Sequence, residues 1–390
     1  MSQKRTYEEY RHMTGADINR MTEQFIALSR MDSESFHEEG VAAWLKEELT
    51  RMGFVVYEDD VGKHYGSEAG NLYGILKGEG SASPVLFSAH MDTVKPGIGK
   101  VPILKDGRIE SEGETVLGAD DICGIVEILE GIRIVKAEET EGKRPAGDIE
   151  VLFTIAEEVY GKGAAVFDFG RIKSKDAYVL DMSGAPGAAA RKAPSIVSFE
   201  IELKGRASHA GFKPEAGINA LEAAAKAIAR IRQGRVSEES TLNIGTIEAG
   251  RADNIVAENC RCTGEVRSFS HEEALSLVEH VKKTFAEEAE ALGAEIRFTH
   301  TVRIKAYETK EDARVCRHFR SACRKLGLAG ELKFTHGGSD NNIFAQKGIE
   351  GIVVANGMYK THSTTEYALI DDMKTGAELV AALIRERQDI

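Results

Sequence analysis

The chain has 390 residues, 42% of them hydrophobic, and a formal net charge of -13. That is enough apolar material for a large core, and the length points to two or three domains. The acidic balance argues against a nucleic-acid footprint, and no run is long and apolar enough to span a bilayer, which leaves neither nucleic acid nor membrane as an expected partner.

The opening Met1-Ser2-Gln3-Lys4-Arg5 is polar and predicts no secretory leader. Five cysteines (Cys123, Cys260, Cys262, Cys316 and Cys323) without C-x-x-C spacing read as reduced thiols in a cytoplasmic protein. Residues 17–29 carry Ile18, Met21, Phe25 and Leu28 on one helical stripe. Ser35-Phe36-His37-Glu38 has the form of a capping box ahead of a second helix, whose apolar positions Val41, Trp44, Leu45, Leu49 and Met52 end at Gly53. Strand-like runs follow at 54–57 and 72–76, then Val85-Leu86-Phe87-Ser88-Ala89, which delivers His90-Met91-Asp92 where the apolar run stops. Leu117-Gly118-Ala119-Asp120-Asp121 opens an apolar helix through Ile122, Ile125, Val126 and Leu129. The run Ile149 to Ala156 is apolar enough to be covered on both faces and ends in Glu157-Glu158, and Tyr178-Val179-Leu180 ends in Asp181. Alternating strands and helices predict a mixed, largely parallel α/β sheet with helices on both faces. In such sheets the carboxyl-end rim is where ligands bind.

From about residue 190 the pattern changes to strands with one solvated face. The order is a strand at 195–203, an alanine-rich helix at 219–231, strands at 241–247 and 258–266, a helix at 272–292 and a strand at 294–301. This β-α-β-β-α-β order predicts an inserted ferredoxin-like domain over 190–304, between a first catalytic segment at 1–189 and a second at 305–390. In the last segment a helix at 313–326 and a short strand precede the Gly-rich turn His336-Gly337-Gly338-Ser339-Asp340. A buried strand at 351–355, the stretch Thr361-His362-Ser363-Thr364-Thr365-Glu366 and a terminal helix complete the chain.

Each polar residue at a strand end has an ordinary explanation when taken alone. Asp120 and Asp121 suit the first turn of a helix, Glu157-Glu158 a solvated loop, and Asp181 a turn. Their conjunction is the stronger signal. Two histidines and several carboxylates recur at the ends of apolar strands, the ligand set of a Zn-type site. A carboxylate such as Asp120 has two oxygens and can bridge two cations, and an adjacent Glu pair can divide into one ligand and one base.

In this order, His90-x-Asp92, Gly118-Ala119-Asp120-Asp121, Glu157-Glu158, Asp181 and His362-Ser363-x-x-Glu366 resemble the motifs of the co-catalytic zinc peptidases that include peptidase T, glutamate carboxypeptidases and amino-acid deacylases. His90-Met91-Asp92-Thr93 and Leu117 to Asp121 are most similar to the peptidase T branch, although Ala210 follows His209 where that branch usually has Pro. The resemblance implies two divalent ions, Zn or else Co or Mn. One would be held by His90, Asp120 and Asp181, the other by Asp120, Glu158 and His362, and the Asp120-Asp121 bond would be cis. It implies Glu157 as general base and Asp92 as the residue that holds the His90 imidazole by its other nitrogen. His209 would reach a neighbouring subunit's site to donate to the oxyanion, so a homodimer through the inserted domain is expected. Asn254 and Arg267 would hold a substrate carboxylate, and Gly338 would offer a backbone N–H. The expected activity is hydrolysis of short peptides by a tripeptide aminopeptidase. A carboxypeptidase or N-acyl-amino-acid deacylase of the same family, and a non-catalytic metal- or amino-acid-binding protein, remain alternatives.

Overall fold

The computed structural model describes residues 15–139 and 147–386, so the polar amino-terminal stretch falls outside the described residues. The described chain resolves into two compact units. The first comprises 15–139, 147–191, 308–334 and 339–386, and the second 192–307 with 335–338.

The first unit is built on a sheet whose order includes Val55–Glu58, Leu72–Leu76, Ile149–Thr154, Val85–His90, Asp176–Met182, Glu350–Ala355 and Ala188–Ala193. The middle four are mutually parallel, while the pairings outside them are antiparallel. Val85–His90 and Ile149–Thr154 are buried along their whole length, as their mostly apolar runs predict of strands covered on both faces. Because the four run the same way, their carboxyl ends share one rim. The register sets His90 opposite Thr154, three residues before Glu157, with Asp176–Met182 on the other side of the His90 strand. The long helix Ala119–Glu139 packs on this sheet and against the terminal helix Ile370–Arg385. Asp181 lies within its strand, one residue before the end, rather than after it. A smaller sheet of Met358–Tyr359, Tyr367–Leu369, Arg108–Ser111 and Pro102–Lys105 frames the His362 loop. Its strands are two to four residues long, too short for an alternating pattern to be read.

The second unit has an antiparallel sheet ordered Gly234–Arg235, Ser240–Ala249, Asn259–Ser268, Ser195–Lys204 and Glu295–Ile304. Helices Ala220–Arg230 and His271–Leu292 close its apolar core around Val197, Phe199, Ile201, Val266, Val281 and Phe285. Without the two-residue edge strand this is the ferredoxin-like order. The third segment drawn at 305–390 is interrupted, because Thr335–Gly338 pack in the second unit. The cause is local: Arg267 donates from Nη1 to the His336 carbonyl at 2.9 Å, and the His336 ring lies 5.0 Å from Phe269.

The capping box at Ser35–Glu38 does not form. The helix starts at Glu39, with Glu38 as an N-cap whose side chain makes no cap bond, and Ser35 is spent elsewhere.

Candidate metal centre

The rim of the parallel sheet gathers seven of the residues singled out in the sequence. His90 is 2% exposed and brings Nε2 to 3.1 Å from Asp120 Oδ1 and 3.9 Å from Asp181 Oδ1. His362, half-exposed, brings Nε2 to 3.3 Å from Asp120 Oδ2 and 3.0 Å from Glu158 Oε1. The two Asp120 oxygens are thus divided between two histidines, each with a further carboxylate.

Donor atoms of His90, Asp120 and Glu158 lie within 4.8 Å of one another, as do those of His90, Asp121 and Asp181. Asp121 is nonetheless committed to the scaffold. Its Oδ1 accepts from Asn356 Nδ2 at 2.8 Å and Gly124 N at 3.2 Å, and its Oδ2 accepts from His90 N at 3.3 Å. Asp120, whose oxygens face the histidines, is the better-placed ligand of the two. The bond between them is cis.

Electrostatics describe a site short of positive charge. Burial, foremost, holds the Asp181 and Glu157 carboxyls well above the usual carboxylate range and raises Glu158, with neighbouring carboxylates adding to each. Burial opposes charge on His90 too, but Asp120 and Asp92 outweigh it and hold the imidazole well above its ordinary value. Among the described residues, the ion pairs of Asp120, Glu158 and Asp181 are with His90 and His362 alone. Imidazole and carboxylate donors in excess of local cations are a set that fits divalent metal ions.

Asp92 does more than hold His90. The closer partner of His90 Nδ1 is the Asp92 backbone carbonyl at 2.9 Å, with its carboxylate at 3.3 Å. The carboxylate itself accepts from Glu157 N at 2.9 Å, Glu158 N at 3.1 Å and the Ser35 hydroxyl at 2.6 Å. It therefore fixes the backbone of the Glu pair. Glu38, fully buried, performs the neighbouring task, with Oε1 accepting from Phe36 N and Ala156 N at 2.8 and 3.0 Å. Its acidic side chain inside an otherwise polar Ser-x-x-Glu signature gave no sign of this in the sequence. Asn356 and Asp340 were missed as well. Asn356 donates to both Asp121 and the Leu180 carbonyl, and Asp340 accepts from the Thr154 hydroxyl beside the Glu pair.

His209, Asn254, Arg267 and Gly338 belong to the second unit. The His209 turn is held through Asn254, whose carbonyl accepts from Ala210 N at 2.9 Å. His209 Nδ1 accepts from Gly211 N and Phe212 N at 3.1 and 3.3 Å, which leaves the neutral ring its proton on Nε2. Arg267 is partly engaged by Glu265 at 2.7 Å and by the His336 carbonyl. A Cβ on Gly338 would meet Ile304 Cδ1 at 1.9 Å, so a side chain there requires the end of Ile304 to turn aside.

Residues 71–237 match the peptidase family M28, and residues 192–293 match the peptidase dimerisation domain of the M20 type. The chain is 35% identical to the YqjE protein of Bacillus subtilis over 367 residues, covering 94% of this chain and 98% of that one. Peptidase T of Escherichia coli K12 is 26% identical over 288 residues, covering 70% of this chain and 67% of the enzyme. Among solved structures, the aminopeptidase PepT of Bacillus cereus superposes with a TM-score of 0.89 at 34% identity, covering 96% of this chain and 99% of that one. A tripeptidase of Staphylococcus aureus does so with a TM-score of 0.92 at 30% identity, covering 96% and 100%. Fold, donor set and relatives define a metallopeptidase. Within that class, the chain belongs to the peptidase T-like family.

Proposed function

We propose that the protein is a tripeptide aminopeptidase that binds two divalent ions, with zinc as the expected metal, and acts as a cytoplasmic homodimer. The observation that carries this reading is the division of the two Asp120 oxygens between His90 and His362. The names of the Bacillus cereus aminopeptidase and the Staphylococcus aureus tripeptidase support the substrate class, and the match to a dimerisation domain supports the dimer.

His90, Asp120 and Asp181 would hold one ion, and Asp120, Glu158 and His362 the other. Paired divalent ions held by these residues would supply Lewis acidity for a scissile carbonyl and would lower the pKa of water to roughly 7 in favourable sites. Glu157 takes a proton from the attacking water and returns it to the leaving amine, a task for which a carboxyl raised by burial is suited. Asp92 keeps that carboxylate in place by gripping the backbone N–H groups of Glu157 and Glu158. His209, contributed by the other subunit, donates from Nε2–H to the developing oxyanion, its tautomer set by the two N–H groups on Nδ1. Arg267 and Asn254 bind the peptide carboxylate, and the Gly338 backbone lines the same subsite.

The test joins metal analysis to a panel of tripeptides, dipeptides, C-terminal glutamate amides and N-acyl amino acids, with products identified by mass. The expected outcome is two ions per chain and release of the amino-terminal residue from tripeptides. Glu157→Gln should abolish turnover while metal content stays at the wild-type level. Turnover retained in that variant rejects the base assignment, and preferential cleavage of acyl amino acids rejects the substrate class.

A further inference from the structure

Glu366 is an acidic side chain beside this site to which the mechanism above gives no task. It is 2% exposed and lies four residues after His362. Its carboxylate collects three backbone N–H groups from a distant part of the chain: Leu117 and Gly118 donate to Oε2 at 2.8 and 2.7 Å, and Asp120 donates to Oε1 at 3.1 Å. At its other end the Glu366 N–H donates to the Ser363 carbonyl at 3.0 Å, which builds the residue into the His362 loop. Both segments it joins are irregular, with His362 at φ 60° and Gly118 at φ 77°. Neither the Asp120 segment nor the His362 segment has a strand ladder of its own at the ligand.

We propose that Glu366 is a positioning residue, a clasp that fixes the Leu117–Asp120 loop to the His362 loop and so sets the spacing of Asp120 from His362 before any ion arrives. The inference rests on the two-ion reading given above. Buried N–H groups need acceptors, and here a single carboxylate satisfies three, one of them on Asp120, the residue whose side chain would serve both ions. Without the clasp the ions themselves would have to order two loops, and that ordering would be taken out of their affinity.

The test uses the full-length protein, Co(II) as the probe, and the variants Glu366→Gln and Glu366→Asp. An amide keeps one acceptor oxygen and turns an NH2 toward a backbone donor, whereas Asp keeps both oxygens but falls short of the Leu117–Asp120 loop by one methylene. Chelator competition should give cobalt affinities about 10- to 100-fold weaker than wild type in both variants, the usual loss when a group that orients a ligand is removed. The visible absorption of the bound cobalt should change with it. The kcat for a tripeptide should fall, and KM should stay near wild type. A purely structural role would lower thermal stability yet leave cobalt affinity and spectrum as in wild type. That result in either folded variant overturns the clasp. If the wild-type protein itself takes up no cobalt, the two-ion reading fails and the clasp with it. Two ions bound by wild type and equally by a variant would sink the clasp alone.

Discussion

Replacing Asp92 with asparagine changes one atom of the side chain yet should disable the site, because the carboxylate is an acceptor for three donors at once. Glu157 N, Glu158 N and the Ser35 hydroxyl reach it at 2.9, 3.1 and 2.6 Å, and the residue is 1% exposed. An amide can keep the Glu157 contact through its oxygen, but its NH2 then faces the Glu158 N–H. The hydroxyl can turn to accept, but the backbone donor cannot. One buried N–H left unpaired costs about 1–3 kcal/mol, and losing the charge assistance on the remaining bonds brings the total to about 2–5 kcal/mol. Some of that is relieved by movement of the Glu157-Glu158 backbone, and a displacement on the order of 1 Å at reacting groups costs about 100-fold in rate. Trp44 is the chain's one tryptophan and lies on a first-unit helix, so urea unfolding followed by its fluorescence reads the stability of that unit. The expected result is an earlier midpoint together with a kcat on tripeptides lowered about 100-fold at nearly constant KM. A variant with kcat within about threefold of wild type and an unmoved midpoint would refute the argument that these three hydrogen bonds hold the Glu pair.

Removing the ions with a chelator should abolish activity and lower the thermal midpoint, since each ion bound at about 100 times its Kd contributes about 2.7 kcal/mol; differential scanning fluorimetry with and without added zinc checks this. Glu127 is fully buried, neither carboxylate oxygen has a hydrogen-bond partner among the described residues, and burial, then Asp121 and Asp372, hold the carboxyl well above the usual carboxylate range. The raised native value means that its contribution to stability is complete below the unfolded pKa and is lost as pH rises toward the folded one. Glu127→Gln should therefore flatten the fall in stability as pH rises above the ordinary carboxylate range, and parallel curves for the two proteins would contradict this. In the second unit, Gly338→Ala should destabilise by about 1–3 kcal/mol through its overlap with Ile304 Cδ1. Adding Ile304→Val, which removes that atom, should restore most of the loss in a denaturation experiment.

The cluster of histidine and carboxylate donors was legible because apolar strands advertise their ends. Strands such as Val85–His90 and Ile149–Thr154 are buried throughout and mostly apolar, so His90 and the Glu157-Glu158 pair stood out where each run stopped. The inserted domain was legible for a similar reason, its one-sided strands alternating where the buried strands do not. What could not be read was the use of ordinary polar residues as long-range hydrogen-bond partners, some accepting and some donating. Glu38 looked like half of a capping box and instead reaches Ala156 N, while Ser35 donates to Asp92. Glu366 and Asn356 follow the same rule, since a long-range bond to a backbone N–H or carbonyl leaves no periodic trace. The short strands around the His362 loop left none either, because two to four residues are too few for alternation.

The four residues Thr335–Gly338 make the second unit a body sewn from two lengths of chain. A fragment cut at 192 and 307 would leave the Arg267 guanidinium without the His336 carbonyl and would strip the His336 ring from the Phe269 face. Swapping this module between relatives therefore means transplanting a distant tetrapeptide along with it.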